Sequence, residues 1–498
     1  MKKQKLMSIL LAALMLSALF AACGGGKDDA AEIPQETAAD ETTAETAEED
    51  IVYKADIPED ADFDGYNFRF LHWFNTGWEE RINKDLVAEE MNGDFLNDAV
   101  YERNRNVEEL LNIKITSQLE ELGAIGGKVQ KAVSAGDDAW DAVYIRLYET
   151  PTYLSGGIFM NYHDIPTLDL SAPWWDQSAV EQLSIDHQLY LIASDINVID
   201  KNATAGMAFN KSYAESYGLP DLYSLVKDGK WTLDKTEELY QNAARDLDGD
   251  GEMGIHDQYG FLSKADAMTF FFHGAGGRFI TKDENDLPVF SFPTEKNFSV
   301  TIDIIEMTTD YDIYFNQHVY GTSVVSDQAY TRMFENGQGL FFLLRLDDIE
   351  FMRASETDFG VLPIPKYTEE QEIYYSTVSQ HTCGLMSIPL TISDPSRDGI
   401  ILEALAAESK NLVQPAYYEV NLQGKYTRDN ESGEMLEIIL ANRVYDLGCI
   451  YSFGDFANQY QGMTLKKNPD IASLTAKYES KVTAAIDKVV AQYQELSG

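Results

Sequence analysis

The sequence predicts an α/β fold on a parallel sheet, and three observations carry that expectation. Residues 66–73 (YNFRFLHW) alternate and are rich in aromatics, the pattern of a half-buried strand. Residues 112–119 and 140–145 read as two further strands, and the stretches between them carry helical periodicity. Strand, helix, strand, helix, strand with crossover-length connections demands right-handed βαβ units, and hence parallel neighbours.

In chain order, a broken helix is expected over 79–111, with apolar positions at Ile82, Leu86, Phe95, Val100, Val107, Leu110 and Leu111. A shorter helix is expected over 124–135. The runs at 339–344 and 359–364 are continuously apolar, as in strands covered on both faces, and Pro363 and Pro365 stop the second. Pro469-Asp470 starts a last helix, whose apolar residues Ile471, Leu474, Tyr478, Val482, Ile486, Val489, Tyr493 and Leu496 keep three-four spacing. No repeat period occurs.

Composition narrows the class. The 498 residues hold 38 Lys plus Arg against 83 Asp plus Glu, a formal charge of 38 − 83 = −45. Neutralising phosphates needs a basic stripe and none occurs, which excludes a nucleic-acid partner. With 44% hydrophobic residues the chain can fill the cores of two or three domains. Three cysteines cannot make a disulfide framework and lack CxxC spacing; Cys383 and Cys449 are left open as a bridge or as two buried thiols.

Lys2, Lys3 and Lys5 precede an apolar run over 6–20, the pattern of an export signal and short of the roughly 20 residues that span a bilayer. Ala21-Ala22-Cys23-Gly24 follows and resembles the lipobox of bacterial lipoproteins, with Phe20 where Leu is usual; an ordinary cleaved signal is the alternative. From 24 to about 60 the chain is Gly, Ala, Thr and acids, which cannot bury enough apolar surface to order itself and reads as a solvated tether.

The most specific local motif is Asp246-Leu-Asp248-Gly-Asp250-Gly251-Glu252, with Asp257 at the twelfth position. Alternate carboxylates around a glycine turn match an EF-hand loop, in which a hard cation gathers six or more oxygens; Asp257 replaces the usual, longer Glu. Asp246, Asp248, Asp250, Glu252 and Asp257 are therefore candidate ligands for a structural Ca2+, against the alternative of a solvated acidic turn. Aromatics are the second theme. A pyranose stacks its C–H face on an aromatic ring while carboxylates and amides bind its hydroxyls, and α/β ligand sites lie just beyond strand ends. Most aromatics must be core, so the candidates are Trp73, Asn75 and Trp78 after the first strand, Arg146 and Tyr148 after the third, and Arg345 with Asp347 after the run ending at Leu344. No GxSxG, HExxH, GxxxxGK[ST] or GxGxxG motif occurs and the seven His lack metal spacing, so no enzyme is expected; a carboxylate pair for glycoside hydrolysis is invisible without geometry.

Several stretches together resemble the extracellular solute-binding proteins, family 1, of carbohydrate ABC transporters. Ala208-Phe-Asn-Lys211 followed by Gly229-Lys-Trp-Thr-Leu-Asp234 is similar to the family's "YNK … P-x-TW-DE" region. Phe334-Glu-Asn-Gly-Gln-Gly-Leu-Phe-Phe342 resembles its "F-x-x-G-x-x-A-M" element and Asp358-Phe-Gly-Val-Leu-Pro-Ile-Pro365 its "Y-G-V-x-P-x-P" strand, while Pro173-Trp-Trp-Asp176 and the Asp-rich loop resemble a larger Gram-positive branch. The likeness runs from about residue 66 onward. Arg345 departs from it, standing where many sugar binders carry Trp.

The resemblance implies a type II periplasmic-binding-protein-like fold, two α/β lobes joined by hinge strands around an interlobe ligand cleft. It implies a signal peptide over 1–22, an acidic tether over 23–62, a first lobe over 63–193 and 343–374, a second over 194–342 and 375–450, and a C-terminal helical segment over 451–498. Asp195, Phe271, His273 and Tyr451 join the candidate ligand residues on the same ground. The implied function is a monomeric receptor, lipid-anchored through Cys23 on the extracellular face of the cell membrane, that passes a carbohydrate to ABC permease subunits. A surface glycoside hydrolase and a structural surface lipoprotein are the alternatives.

Overall fold

The computed structural model describes residues 51–74, 85–320, 329–352, 355–422 and 430–496. In chain order its main elements begin β1 (Tyr66–Phe74), α1 (Phe95–Leu111), β2 (Ile113–Glu121), α2 (Ile125–Ala135), β3 (Ala142–Arg146), β4 (Ala205–Asn210) and β5 (Tyr259–Ser263). There follow α3 (Ala267–Gly274), β6 (Tyr314–Asn316), β7 (Gly339–Arg345), β8 (Phe359–Leu362), β9 (Ser376–Thr377), β10 (Gly384–Ser387), α4 (Pro395–Leu422), α5 (Asn430–Ala441), β11 (Arg443–Val444) and α6 (Ile471–Leu496).

Two main sheets result. The first has the order β10-β3-β1-β2: β1 pairs parallel with β2, Tyr66 opposite Ile113, and parallel with β3, while β10 runs antiparallel to β3. The second has the order β8-β4-β7-β5-β6, with β5 parallel to β6 and β7 and with β4 antiparallel to β7 and β8. The three strands expected between 66 and 145 are thus neighbours in one sheet. The apolar run from 339 lies at the centre of the other and is buried along its whole length, as a strand without polar alternation must be.

The first helix starts later than its periodicity implies. Residues 85–94 form no helix, and Asp94 caps α1 by accepting the Asn97 N–H at 3.0 Å; the expected stretch 79–84 lies outside the described residues. α1 ends at Asn112, which adopts the left-handed region at φ 49° and turns its N–H to Glu108. α6 follows its expected stripe, burying Ile471, Tyr478, Val482, Ile486 and Tyr493. Among the described residues no helix is long and apolar enough to cross a membrane.

Strand partners differ from the expected division at 343–374 and 375–450. β8 pairs with β4 in the second sheet, whereas β10 pairs with β3 in the first and α4 packs on α1. Apolar periodicity marks that a strand exists, not which strand it joins. The chain crosses between the sheets near 192–204, where Ile192 bridges to Met386 and Thr204 to Val378, and a short parallel ladder joins β9 to β11. The body also begins before Phe63: Asn411 of α4 binds the backbone of Tyr53 on both sides, accepting its N–H at 2.9 Å and donating to its carbonyl at 2.8 Å. Cys383 and Cys449 are buried free thiols, which settles the open alternative.

Candidate functional site

The carboxyl ends of β3, β5 and β7 supply charged and aromatic side chains that meet around one loop, residues 379–382. Tyr148, just beyond β3, lies against His381 with ring centroids 5.1 Å apart, and its backbone N–H donates to Gln380 at 2.9 Å. Arg146 reaches over the Tyr148 ring at 5.8 Å and is ion-paired with Glu149. From the second sheet, Lys264 and Asp266 follow β5 directly and pair with each other at 3.3 Å, and the Lys264 ammonium lies 5.7 Å from the Tyr330 ring centre. Arg345 ends β7 and binds Asp347 at 3.2 Å, while its N–H donates to Asp348 at 2.9 Å.

Electrostatics shows that these groups share one space. Surrounding protein holds the His381 imidazole below its ordinary value; Asp266 pulls it upward while Arg146, Lys264 and Arg345 push it down. Burial works to raise Asp266, yet Lys264, His381 and Arg345 keep its carboxyl below the usual range. Each of the three cations has a carboxylate partner, so the cluster presents paired donors and acceptors instead of a net charge. Such a surface binds hydroxyl groups, which donate and accept at once. Ligands of open α/β sheets bind beyond the carboxyl ends of strands, where this cluster lies.

Four expected site residues thus converge: Arg146, Tyr148, Arg345 and Asp347. Lys264, Asp266, Tyr330 and His381 were not legible, because the Tyr259–Ser263 strand carries too short a pattern and His381 sits on a crossing loop with no local signal. Three others belong to the interior, and a fourth, Tyr451, is half-buried. Trp73 is 5% exposed and packs over β10, where a Cβ on Gly384 would come within 2.7 Å of its indole nitrogen. Phe271 on α3 is buried edge-on against Phe261. His273 is buried with Nδ1 2.9 Å from the Thr377 hydroxyl and Nε2 3.2 Å from Asp446, so it ties α3 to the crossing segments. Tyr451 shares a 2.6 Å hydrogen bond with the Tyr493 hydroxyl and stacks on Phe453, holding α6 in place. Asn75 and Trp78 lie outside the described residues, as does Cys23.

Asp195 stands apart, beside a cavity of about 390 Å³ between the Trp174-Trp175 loop, residues 194–201, α4 and α5. A buried ion network frames it. Asp195 binds Lys201 and Lys410, each at 3.2 Å; Arg443 binds Asp176 at 2.8 Å and Asp200 at 2.6 Å. Burial opposes ionisation of Asp176, and Arg443 with the Tyr445 hydroxyl still holds it below the carboxylate range.

The acidic loop folds as a tight turn. Gly249 and Gly251 adopt φ of 76° and 86°, a region side chains rarely enter, and one oxygen each of Asp246, Asp248 and Asp250 lie within 4.8 Å of one another. Glu252 and Asp257 fall outside that group: Asp257 spends its two oxygens on the N–H groups of Leu247 and Gly254, at 2.8 and 2.7 Å.

Compared with solved structures, the chain is similar to the ABC substrate-binding protein Lmo0181 from Listeria monocytogenes in complex with cycloalternan (TM-score 0.52, 13% identity, 86% of this chain and 100% of that one). It is similar to a cyclo/maltodextrin-binding protein complexed with maltotetraose (TM-score 0.52, 13% identity, 86% and 97% covered) and to M. tuberculosis UspC (TM-score 0.54, 12% identity, 84% and 100% covered). No family model matches the sequence. No curated protein matches it either. The fold is that of the periplasmic-binding proteins, two α/β lobes joined by crossing segments.

Proposed function

We propose that this protein is a receptor of an ABC importer that captures a carbohydrate between its two lobes and hands it to permease subunits, with no chemistry of its own. The observation that carries this is the meeting of Arg146 and Tyr148 from one sheet with Lys264, Asp266 and Arg345 from the other around His381. Structural neighbours complexed with cycloalternan and maltotetraose support a sugar as the ligand class. In this reading Cys23 carries the lipid that holds the chain at the outer face of the cell membrane. Ligand that binds only the folded state stabilises it by about 2.7 kcal/mol at a hundredfold excess over Kd. A thermal-unfolding screen of mono- and oligosaccharides is expected to raise Tm for at least one sugar, and Tyr148→Ala to abolish the rise. Absence of any shift across the panel would sink the receptor reading.

We also propose that Asp246, Asp248 and Asp250 hold a structural Ca2+, since three exposed carboxylates offer up to six oxygens to a cation that takes six to eight. Adding EDTA to protein prepared in calcium should lower Tm, and Asp248→Asn should make Tm insensitive to the chelator. An unchanged melting curve in EDTA would leave only an acidic turn.

A further inference from the structure

The cavity beside Asp195 shares no wall residue with the strand-end cluster, and its volume of about 390 Å³ lies within the range of small-molecule pockets. Charges on its wall balance: Lys201, Lys410 and Arg443 face Asp176, Asp195 and Glu437. The three cations are each paired with a carboxylate, so the wall holds no excess positive charge to draw an anion. The wall retains hydrogen-bonding capacity of both kinds. Among the described residues Lys410 makes one hydrogen bond, to Asp195, and Gln414 spends its amide N–H on the Asp195 carbonyl at 3.1 Å, which leaves Oε1. The Tyr418 hydroxyl and the Glu437 carboxylate, both on this wall, have no hydrogen-bond partner among the described residues. Trp174 and Trp175 both donate their indole N–H to Glu403, at 2.7 and 3.1 Å, and so offer the cavity apolar ring surface.

We propose that this cavity is a second small-molecule site, taking a neutral, hydroxyl-rich ligand of about one ring, such as a cyclic polyol or a monosaccharide. Indole surface meets the C–H face of the ring, while Lys410, Tyr418, Gln414 and Glu437 exchange hydrogen bonds with its hydroxyls. Its occupant is independent of whatever fills the strand-end cluster.

The test is titration of the full chain with myo-inositol, D-glucose and D-galactose as probes, followed by calorimetry and protein-observed NMR. Tyr418→Phe and Glu437→Gln alter the cavity without changing its size, and Tyr148→Ala alters the other site. The expected result is at least one probe whose affinity falls about tenfold in Tyr418→Phe or Glu437→Gln and is unchanged in Tyr148→Ala. Melting temperatures near wild type for both cavity variants establish that they fold. Loss of binding only in Tyr148→Ala would overturn the second site and leave the receptor reading standing. Absence of any probe binding at about 10 mM would overturn it as well.

Discussion

Asp398, near the start of α4, is buried with one oxygen on the Arg397 guanidinium at 2.8 Å and the other without a hydrogen-bond partner among the described residues. Arg397 in turn lies 3.5 Å over the Tyr66 ring, whose hydroxyl donates to Asp141 at 2.6 Å. Burial, aided by the nearby charges of Asp141 and Asp138, pushes the Asp398 carboxyl from 3.8 up to about 7. A folded-state value above the unfolded one stabilises the protein when protonated, so this contribution is complete below about pH 4 and is lost as pH rises through about 7. Asp398→Asn mimics the protonated form. Urea unfolding at about pH 5 and about pH 8 should show the variant gaining roughly 2–4 kcal/mol on wild type between them, and ending the more stable. A variant less stable than wild type at the higher pH would mean that the Arg397 pair outweighs the burial cost. At this scale the sequence revealed residue type and strand-end position, which singled out Arg146, Tyr148, Arg345 and Asp347, four residues that the fold brings to one cluster. His273 and Tyr451 were named beside them, and the structure spends both on hydrogen bonds, to Thr377 and to Tyr493; an imidazole or phenol that closes such a bond has the same local sequence as one that faces ligand.

Arg103 shows how elements are fastened together. It projects from α1 with 0% exposure, and all of its donors are used: Nε on Asn104 at 2.7 Å, one terminal nitrogen on the Ile196 carbonyl and the Ser409 hydroxyl at 2.7 and 2.9 Å, the other on the carbonyls of Asp85 and Leu86 at 3.1 and 2.9 Å. One side chain thereby joins α1, α4, the segment before α1 and the crossing segment. Arg103→Ala would leave the buried carbonyls of Ile196 and Asp85 without the guanidinium, while that of Leu86 keeps the Asn104 amide at 2.9 Å; the loss is about 3–5 kcal/mol, readable as a fall in the urea midpoint. Arg103→Lys, which cannot reproduce the planar fork, should recover only part of it. Full stability in Arg103→Ala would show that water replaces the guanidinium at no cost. Elements with long periodic patterns were legible, above all α6 and the strand from 339. Boundaries were less so: α1 waits for the Asp94 cap although apolar residues precede it, since a stripe records burial and a cap records where the helix begins.

For the whole molecule, pairwise likeness of segments fixed the class of architecture better than it fixed their membership. The stretch 359–362 read correctly as a strand and 384–387 was not read as one, yet each belongs to the sheet opposite to the one its place in the expected lobes implied. Long-range pairing is decided by which edges are free when a strand arrives, and that information is spread over the entire chain. The charge of −45 behaves similarly: it is a sum over the whole chain, whereas at both sites Arg and Lys are paired with carboxylates, so neither site carries the sign of the total.

The reversed edge strand β10 also sets an order of assembly. The second sheet has all its strands once residue 362 has been made, while the first, which holds the earliest strands, lacks its fourth until residue 387 and its α4 cover until residue 422. During synthesis β3 therefore offers an unpaired edge through the making of the entire second sheet, and such an edge is a template for mispairing. The half of the protein that is begun first is finished last, and the growing chain depends on shielding, or on remaining unfolded, until its final third is in hand.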